Sequence, residues 1–540
     1  MGNLCQISSI FTLLLLSLEM FISWSWWFEG HSQVRDKVVR TILTVFVPTL
    51  LLLWYKKSKA QLPPGPYGLP IVGYLPFLRS NVQEKFIEMA HKYGPIFCLQ
   101  LGSKLHVVVN SMDLVKVVTH DLDQTFANRN PKLSALTISY GGLNVVWSNK
   151  AYWRKMRRIL VSQVMSNTNL NACQTFRTHE VRKMVNEVYT KTGTKVNINE
   201  IAFETELNVV TSMLWGNSKS GEKNDCGDML DGFREVEFKI VQLLGAPNIS
   251  DFIPWLSWFD LQGIQREMHK QWVHLDKIFD NIIEARITAN AKKMEGAVDE
   301  DGRKDFLQIM LELKDQTDTL SSLNIDQIKA LLMDMVVAAT DTVSTMVEWV
   351  MAEILNHPRI MREVQDELTE VVGMNNIVEE SHMVKLTYLD AVIKETLRLH
   401  PATPFLIPRC TDETSVVGGY TIPKGSIVYI NVWGIHHDPK NWTNPLEFKP
   451  ERFIKSGKWD YKGNNMEFLP FGSGRRICPG VPLAEKMLMY ILASLLHSFE
   501  WSLPKDEEFE LSHKFANVTR KSKPLIAIPF QRLPETSLYF

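Results

Sequence analysis

A single cysteine framed by glycines sets the terms for what this chain can enclose. Residues 471–480 read Phe-Gly-Ser-Gly-Arg-Arg-Ile-Cys-Pro-Gly. Gly472 and Gly474 allow a tight backbone turn beneath a flat partner, where a Cβ would clash. The next run, Val481 to Leu488, reads as the start of a helix. Its N-terminal amides would face the sulfur of Cys478 and favour the thiolate. A lone thiolate held this way suits axial ligation of haem iron, because sulfur pushes electron density onto the metal and promotes O–O cleavage. Arg476 stands where it would reach a haem propionate. The alternative is a buried structural cysteine in a glycine turn, since free cysteine often acts as a small hydrophobe.

Three other patterns carry chemistry. Residues 326–356 form the longest helix candidate, ended by His357-Pro358. Its middle, Ala338-Ala339-Thr340-Asp341-Thr342, combines small residues with an acid beside a hydroxyl. Small residues let a helix axis approach a flat macrocycle, and Asp341 with Thr342 can relay protons. The alternative is ordinary satisfaction of both side chains by the i−4 carbonyl or by solvent. Glu395 and Arg398 share one face of a second helix; alone, such a pair is usually a surface salt bridge of little worth. Trp153 and Arg157 lie four apart on a third helix, hence on one face. Together an indole and a guanidinium can hold a propionate, or simply form a packed surface.

The order Phe-x-x-Gly-x-Arg-x-Cys-x-Gly resembles the haem-binding loop of the cytochrome P450 monooxygenases at every position. The resemblance extends from residue 62 to about 530, with each motif in the family's order. It implies that Cys478 binds the iron of haem b and that Phe471 belongs to the cofactor-binding loop. It also implies that Trp153, Arg157, Arg409 and Arg476 contact haem propionates, and that Thr342 and Asp341 are catalytic. Glu395, Arg398 and Arg452 would form a structural network that fixes the cysteine loop. Two positions depart from the family pattern: Ala339 stands where Gly is usual, and Val343 where Ser or Thr is usual. The substrate pocket implied by resemblance is drawn from residues 128–147, Met335–Thr342, Pro401–Pro408 and Phe515–Val518. It includes Leu143, Val337, Ala338, Phe405 and Phe515, with Arg129, Lys132 and Asp341 among its few charges. This suits a compact apolar molecule with a single polar handle. Residues 139–147 resemble plant sequences of a terpenoid-hydroxylating branch.

The expected fold is mainly α with a small β-sheet, the cytochrome P450 fold. The helix candidates are 81–93, 150–166, 174–190, 230–244, 266–294, 304–315, 325–356, 359–372 and 388–399. Period-two alternation predicts hairpins over 96–110 and over Tyr420–Asn431. Residues 1–61 read as a membrane anchor with apolar blocks 9–28 and 38–55, then a basic stop at Lys56, Lys57 and Lys59. Residues 62–70 form a proline hinge, and 71–540 the single haem-thiolate catalytic domain. The implied location is the endoplasmic reticulum membrane with the catalytic domain in the cytosol.

The 540 residues carry a net charge of −1, so no basic excess points to nucleic acid. The six cysteines contain no Cys-x-x-Cys pair, which fits a reducing compartment. No glycine-rich dinucleotide motif is evident, so electrons would come from NADPH through a separate membrane-bound P450 reductase. Arg154, Lys155, Arg158 and Lys486 would offer that partner a basic docking face. The expected reaction is hydroxylation of a small apolar plant specialised metabolite, a terpenoid first. Alternatives are multistep oxidation of an alkaloid or phenolic, a haem-thiolate isomerase or dehydratase needing no dioxygen, and a non-enzymatic haem sensor or carrier.

Overall fold

Asn324 fixes where the longest helix begins. Its side chain accepts from the Gln327 amide while the Gln327 side chain accepts from the Asn324 amide, a reciprocal capping box. The helix then runs over Ile325–Asn356 to His357. The computed structural model describes residues 61–78, 81–216, 225–294, 304–314, 322–454, 458–514 and 518–540. The two apolar blocks of the expected anchor, the acidic stretch 295–303 and Phe515 lie outside the described residues.

The longer helices are α1 (Val82–Tyr93), α2 (Lys150–Arg158), α3 (Gln174–Thr190), α4 (Ile198–Trp215), α5 (Asp225–Gly245), α6 (Ile264–Met294), α7 (Phe306–Lys314), α8 (Ile325–Asn356), α9 (Pro358–Val371), α10 (Thr387–Leu399) and α11 (Val481–Ser498). Most match the expected spans within a few residues. Helix α2 is shorter: after Arg158 the chain widens into π-type turns over Ile159–Val164. The sequence pattern gave no signal for α4. It packs between α3 and α8 and leaves accessible mainly a narrow row, Glu200, Glu204 and Asn208, while other polar residues such as Glu206 and Thr205 are buried, so its amphipathic pattern is weak. Helix α8 is apolar and long enough to cross a bilayer, yet here it is a core element, packed by α4, α10 and α11.

The main sheet has the order β1-β2-β7-β4, with β1 (Ile96–Leu101) and β2 (Lys104–Val109) forming the expected hairpin around Gly102-Ser103. The second expected hairpin does not form. β6 (Tyr420–Ile422) pairs instead with β5 (Ser415–Val417), while β7 (Ile427–Ile430) runs parallel to β2 and antiparallel to β4 (Arg409–Cys410). Two local facts decide this. Gly418 and Gly419 both adopt positive φ, 58° and 82°, as a tight two-residue turn between right-twisted strands requires. The Pro423–Gly425 connection is held by Thr411, whose hydroxyl donates to the Pro423 carbonyl at 2.8 Å and whose carbonyl accepts from Gly425 at 2.9 Å.

Smaller strands close the rest: β3 (Val196–Asn197), β8 (Phe499–Ser502) and β11 (Ile526–Gln531) form one sheet, β9 (His513–Lys514) and β10 (Arg520–Lys521) another. The proline hinge is docked along β1. The carbonyls of Pro63 and Pro64 accept from the Cys98 thiol at 3.0 Å and the Cys98 amide at 2.9 Å.

Candidate active site

Gly474 shows how tightly the cysteine loop is seated. A Cβ there would stand 2.1 Å from the Thr119 carbonyl oxygen, and φ is +67°. The neighbouring segment 117–121 by itself therefore demands the glycine. The Cys478 amide donates to the Phe471 carbonyl at 3.0 Å, and the Phe471 ring meets Tyr461 edge-on at 5.2 Å. Cys478 is deeply enclosed by protein yet accessible to solvent, so its sulfur faces a cleft. Burial pushes its thiol pKa up. The amides of Gly480 and Val481 at the start of α11, together with Arg157, pull it down without overcoming burial.

Glu395 and Arg398 are both fully buried and joined by two bonds of 2.7 and 2.8 Å. Arg452 adds a third contact at 3.3 Å. From this pair a chain leads to the loop. The Leu469 amide donates to His436 Nε2 at 3.0 Å, so Nδ1 carries the proton and donates to the Arg398 carbonyl at 3.1 Å. Burial holds the imidazole neutral, as this relay needs. His436 carried no signal in the sequence, because its partners lie 33 and 38 residues away.

Four guanidiniums gather beside the loop. Arg476 donates to the carbonyls of Ala127, Val145 and Ser148 and to Asn149 Oδ1, and lies 4.1 Å from the Trp153 ring centre. Arg157 stands 6.0 Å over the same ring. Arg409 donates to Asp123 at 3.0 Å and to the Ser473 carbonyl at 2.7 Å. Arg129, read from sequence as a pocket charge, belongs to this group: it donates to the carbonyls of Ile407 and Pro408. Burial, then Arg476, Arg409 and Arg157, press its pKa down. Burial, then Arg409 and Arg157, push Arg476 down to about 9. Among the described residues Asp123 is the carboxylate that faces this cluster, and it also serves Arg475. Trp153 Nε1 and Arg129 Nε are buried donors without a protein partner. Surplus positive charge with spare N–H groups is a donor set that fits two carboxylate arms. The residues present therefore fit a haem.

Helix α8 turns a small accessible notch toward the interior. From Ile328 to Ile354 every residue is buried except Val337, Ala338, Ala339 and Thr342. Thr342 donates to the Ala338 carbonyl at 2.6 Å. Asp341 is buried and paired with Arg520 on β10. Burial raises its pKa, and Arg520 opposes that rise. The acid and the alcohol of the expected relay thus engage different partners. Asp334, two turns earlier, accepts from Asn144 Nδ2 at 2.6 Å and from the Val145 amide at 2.6 Å. Val145 is thereby held at both ends of its backbone, by Asp334 on the amide and by Arg476 on the carbonyl. This ties α8 to the cysteine loop.

Burial raises the Asp334 carboxyl from 3.8 to about 7. The neutral form is favoured in the folded state. Its stabilising contribution is therefore complete below the unfolded value and lost as pH climbs through the folded one. Relative to Asp334→Asn, the parent protein loses melting temperature between pH 5 and about 7 and changes little above that. Thermal unfolding of both proteins across that range checks this.

Of the expected pocket residues, Leu143 is half-buried and its carbonyl accepts from Tyr152 at 2.9 Å. Val337 and Ala338 lie in the notch. Phe405 does not join them: it is buried against Phe86, ring centres 5.0 Å apart, in an aromatic cluster beside β1 and β2. Its neighbour Leu406, at φ +52°, turns its side chain toward Gly472 of the cysteine loop instead.

Residues 63–528 match the cytochrome P450 family. The chain belongs to that family. Among plant relatives, the P450 chain is 36% identical to geranylhydroquinone 3''-hydroxylase of Arnebia euchroma over 481 residues, 88% of this chain and 95% of the relative. It is 34% identical to geraniol 8-hydroxylase of Catharanthus roseus, over 91% of this chain and 98% of that one. It is 35% identical to flavonoid 3'-monooxygenase of Crocosmia x crocosmiiflora, over 91% and 99%. A solved zebra fish cytochrome P450 with progesterone superposes with a TM-score of 0.70 at 25% identity, covering 83% of this chain and 99% of that chain. The P450 chain is a haem-dependent oxidoreductase of the monooxygenase class, with electrons from NADPH delivered by a reductase. Bound haem supplies the activation of dioxygen.

Proposed function

We propose that this P450 hydroxylates a small, largely apolar plant specialised metabolite, a terpenoid first. Cys478 ligates the iron, while Arg129, Arg157, Arg409, Arg476 and Trp153 hold the propionates. Thr342 keeps a hydroxyl proton at the notch. Asp341 reaches solvent through Arg520, which is about a third exposed.

The accessible notch of Val337, Ala338, Ala339 and Thr342 carries the reading. It is apolar apart from one hydroxyl, and the charges nearby are already committed. Arg129 serves backbone carbonyls, Lys132 donates to the Leu244 carbonyl at 3.1 Å, and Asp341 is paired. A charged substrate would find no free counter-ion among these. The geraniol and geranylhydroquinone hydroxylases point to terpenoids. The flavonoid relative, at similar identity, favours a phenolic as the second reading.

A membrane setting is supported by an exposed apolar face. Trp258 and Tyr67 are each 93% exposed, and Trp255, Phe259, Leu261 and Ile71 are exposed with them. The β1–β2 turn holds both segments together: Gly102 donates to the Val72 carbonyl and Ser103 to the Phe252 carbonyl. Aromatic side chains of this kind favour the bilayer interface. With the anchor expected over residues 1–61, the face would seat the domain on the endoplasmic reticulum from the cytosolic side. Arg154 and Arg158, exposed on α2, would meet an acidic reductase.

Microsomes carrying the protein and a reductase, supplied with NADPH and a panel of terpenes, phenolics and alkaloids, test this. The expected result is an NADPH-dependent product heavier by one oxygen atom from a terpene. Conversion of peroxides without NADPH, or oxidation confined to phenolics, would replace the reading.

A further inference from the structure

One carboxylate closes a ring through the cysteine loop. Asp123 is 7% exposed and follows the π-type turn Val117–Asp121. Its Oδ1 accepts from Arg409 Nη1 at 3.0 Å, and its Oδ2 accepts from the Arg475 amide at 3.0 Å. Arg409 returns to the same loop through Nη2, which donates to the Ser473 carbonyl at 2.7 Å. The ring Asp123–Arg409–Ser473–Gly474–Arg475 holds Arg409 and the loop backbone in one frame, three residues before Cys478. Gly474 sits inside this ring, where a Cβ would also stand 3.2 Å from Asp123 Oδ1.

Closing the loop needs an acceptor but not a charge. The single oxygen of an amide side chain could take the Arg475 N–H as well. The charge of Asp123 answers instead to the arginines. Arg409 is buried, and burial presses its pKa down while Asp123 opposes that fall by charge and hydrogen bond. Arg475 also reaches Asp123, its Nε at 3.2 Å, but from the exposed side, where water screens it. A guanidinium does not give up its charge. Without the carboxylate, the arginine wall therefore carries one more uncompensated positive charge beside the loop.

We propose that Asp123 is a positioning residue for the haem of this P450: it holds Arg409 against the cysteine loop, and its negative charge keeps the haem reduction potential lower than the arginine wall alone would set it. The inference rests on the reading of Arg409 as a propionate holder and goes beyond it. A negative charge in a poorly solvated wall disfavours the extra electron of the reduced form.

Haem-loaded parent, Asp123→Asn and Asp123→Glu are reduced stepwise in a transparent electrode cell, with the Soret band reporting the reduced share. Thermal unfolding of each is followed alongside. Asp123→Asn has a midpoint more positive than the parent, because one negative charge has gone. Asp123→Glu keeps the parental midpoint, because the carboxylate stays. A loop clamp alone would lower the melting temperature and leave the midpoint in place, so an unshifted or more negative midpoint in Asp123→Asn overturns the proposal. An equal positive shift in Asp123→Glu also overturns it, since altered packing and not charge then moved the midpoint. If Asp123→Asn fails to retain haem, Asp123→Glu decides: a parental midpoint upholds the proposal, and loss of haem there too overturns it. A parent that takes up no haem removes the haem-site reading and the proposal with it. A parent with haem but no oxygenated product removes the hydroxylase reading separately, and the midpoints still decide the role of Asp123.

Discussion

Cys478→Ala protein, reduced under carbon monoxide, shows no red-shifted Soret band and no NADPH-dependent turnover. The fold survives the change, because the amide that closes the loop onto Phe471 belongs to the backbone and remains. No other described cysteine takes over. The thiol of Cys98 donates to the Pro63 carbonyl, and Cys173 is buried in the helical core with its pKa pushed up to about 11. The loss exceeds the about 10–100-fold that removing a supporting partner of a metal ligand costs. A residual red-shifted band in folded, haem-loaded variant would place the ligand elsewhere.

Glu395→Ala destabilises the domain by about 3–5 kcal/mol, the cost of leaving a buried charge without its partner. Arg398 is wholly buried, and its remaining contacts would be carbonyls: His436 at 2.8 Å and Pro445 at 2.7 Å. Arg452→Ala costs less. Its contact with Glu395 is longer, 3.3 Å, and its side chain is 12% exposed. The double change Glu395→Ala with Arg398→Met recovers part of the loss, since no uncompensated charge remains. Denaturant unfolding of the single and double variants measures this. The Glu395→Ala protein also releases haem faster, because Arg398, His436 and Leu469 form one chain to the cysteine loop. Unchanged haem retention would separate the network from the loop.

Local signals served the sequence reading well. His357-Pro358 marked the end of α8, whose start at Ile325, after the Asn324 capping box, lies one residue from the expected 326. The cysteine loop was legible because its residues are consecutive. What stayed hidden depends on contacts between distant segments. Helix α4 shows only a narrow polar row, Glu200, Glu204 and Asn208, because protein surrounds its other faces. Arg129 joins the arginine cluster through carbonyls 278 and 279 residues away. Asp334 meets Val145 across 189 residues. Alternation marks a hairpin over Tyr420–Asn431, although the Gly418-Gly419 pair just before it is the stronger turn signal. Phe405 leaves the expected pocket for the aromatic cluster beside Phe86, next to a Leu406 in left-handed conformation.

Four guanidiniums set against one carboxylate make haem more than a catalyst for this protein. Seated as proposed, the acid arms of the macrocycle would act as counter-ions that the described residues do not supply. Folding of this region and capture of the pigment are thereby linked by mass action. Haem supply would then raise the share of this chain that is folded.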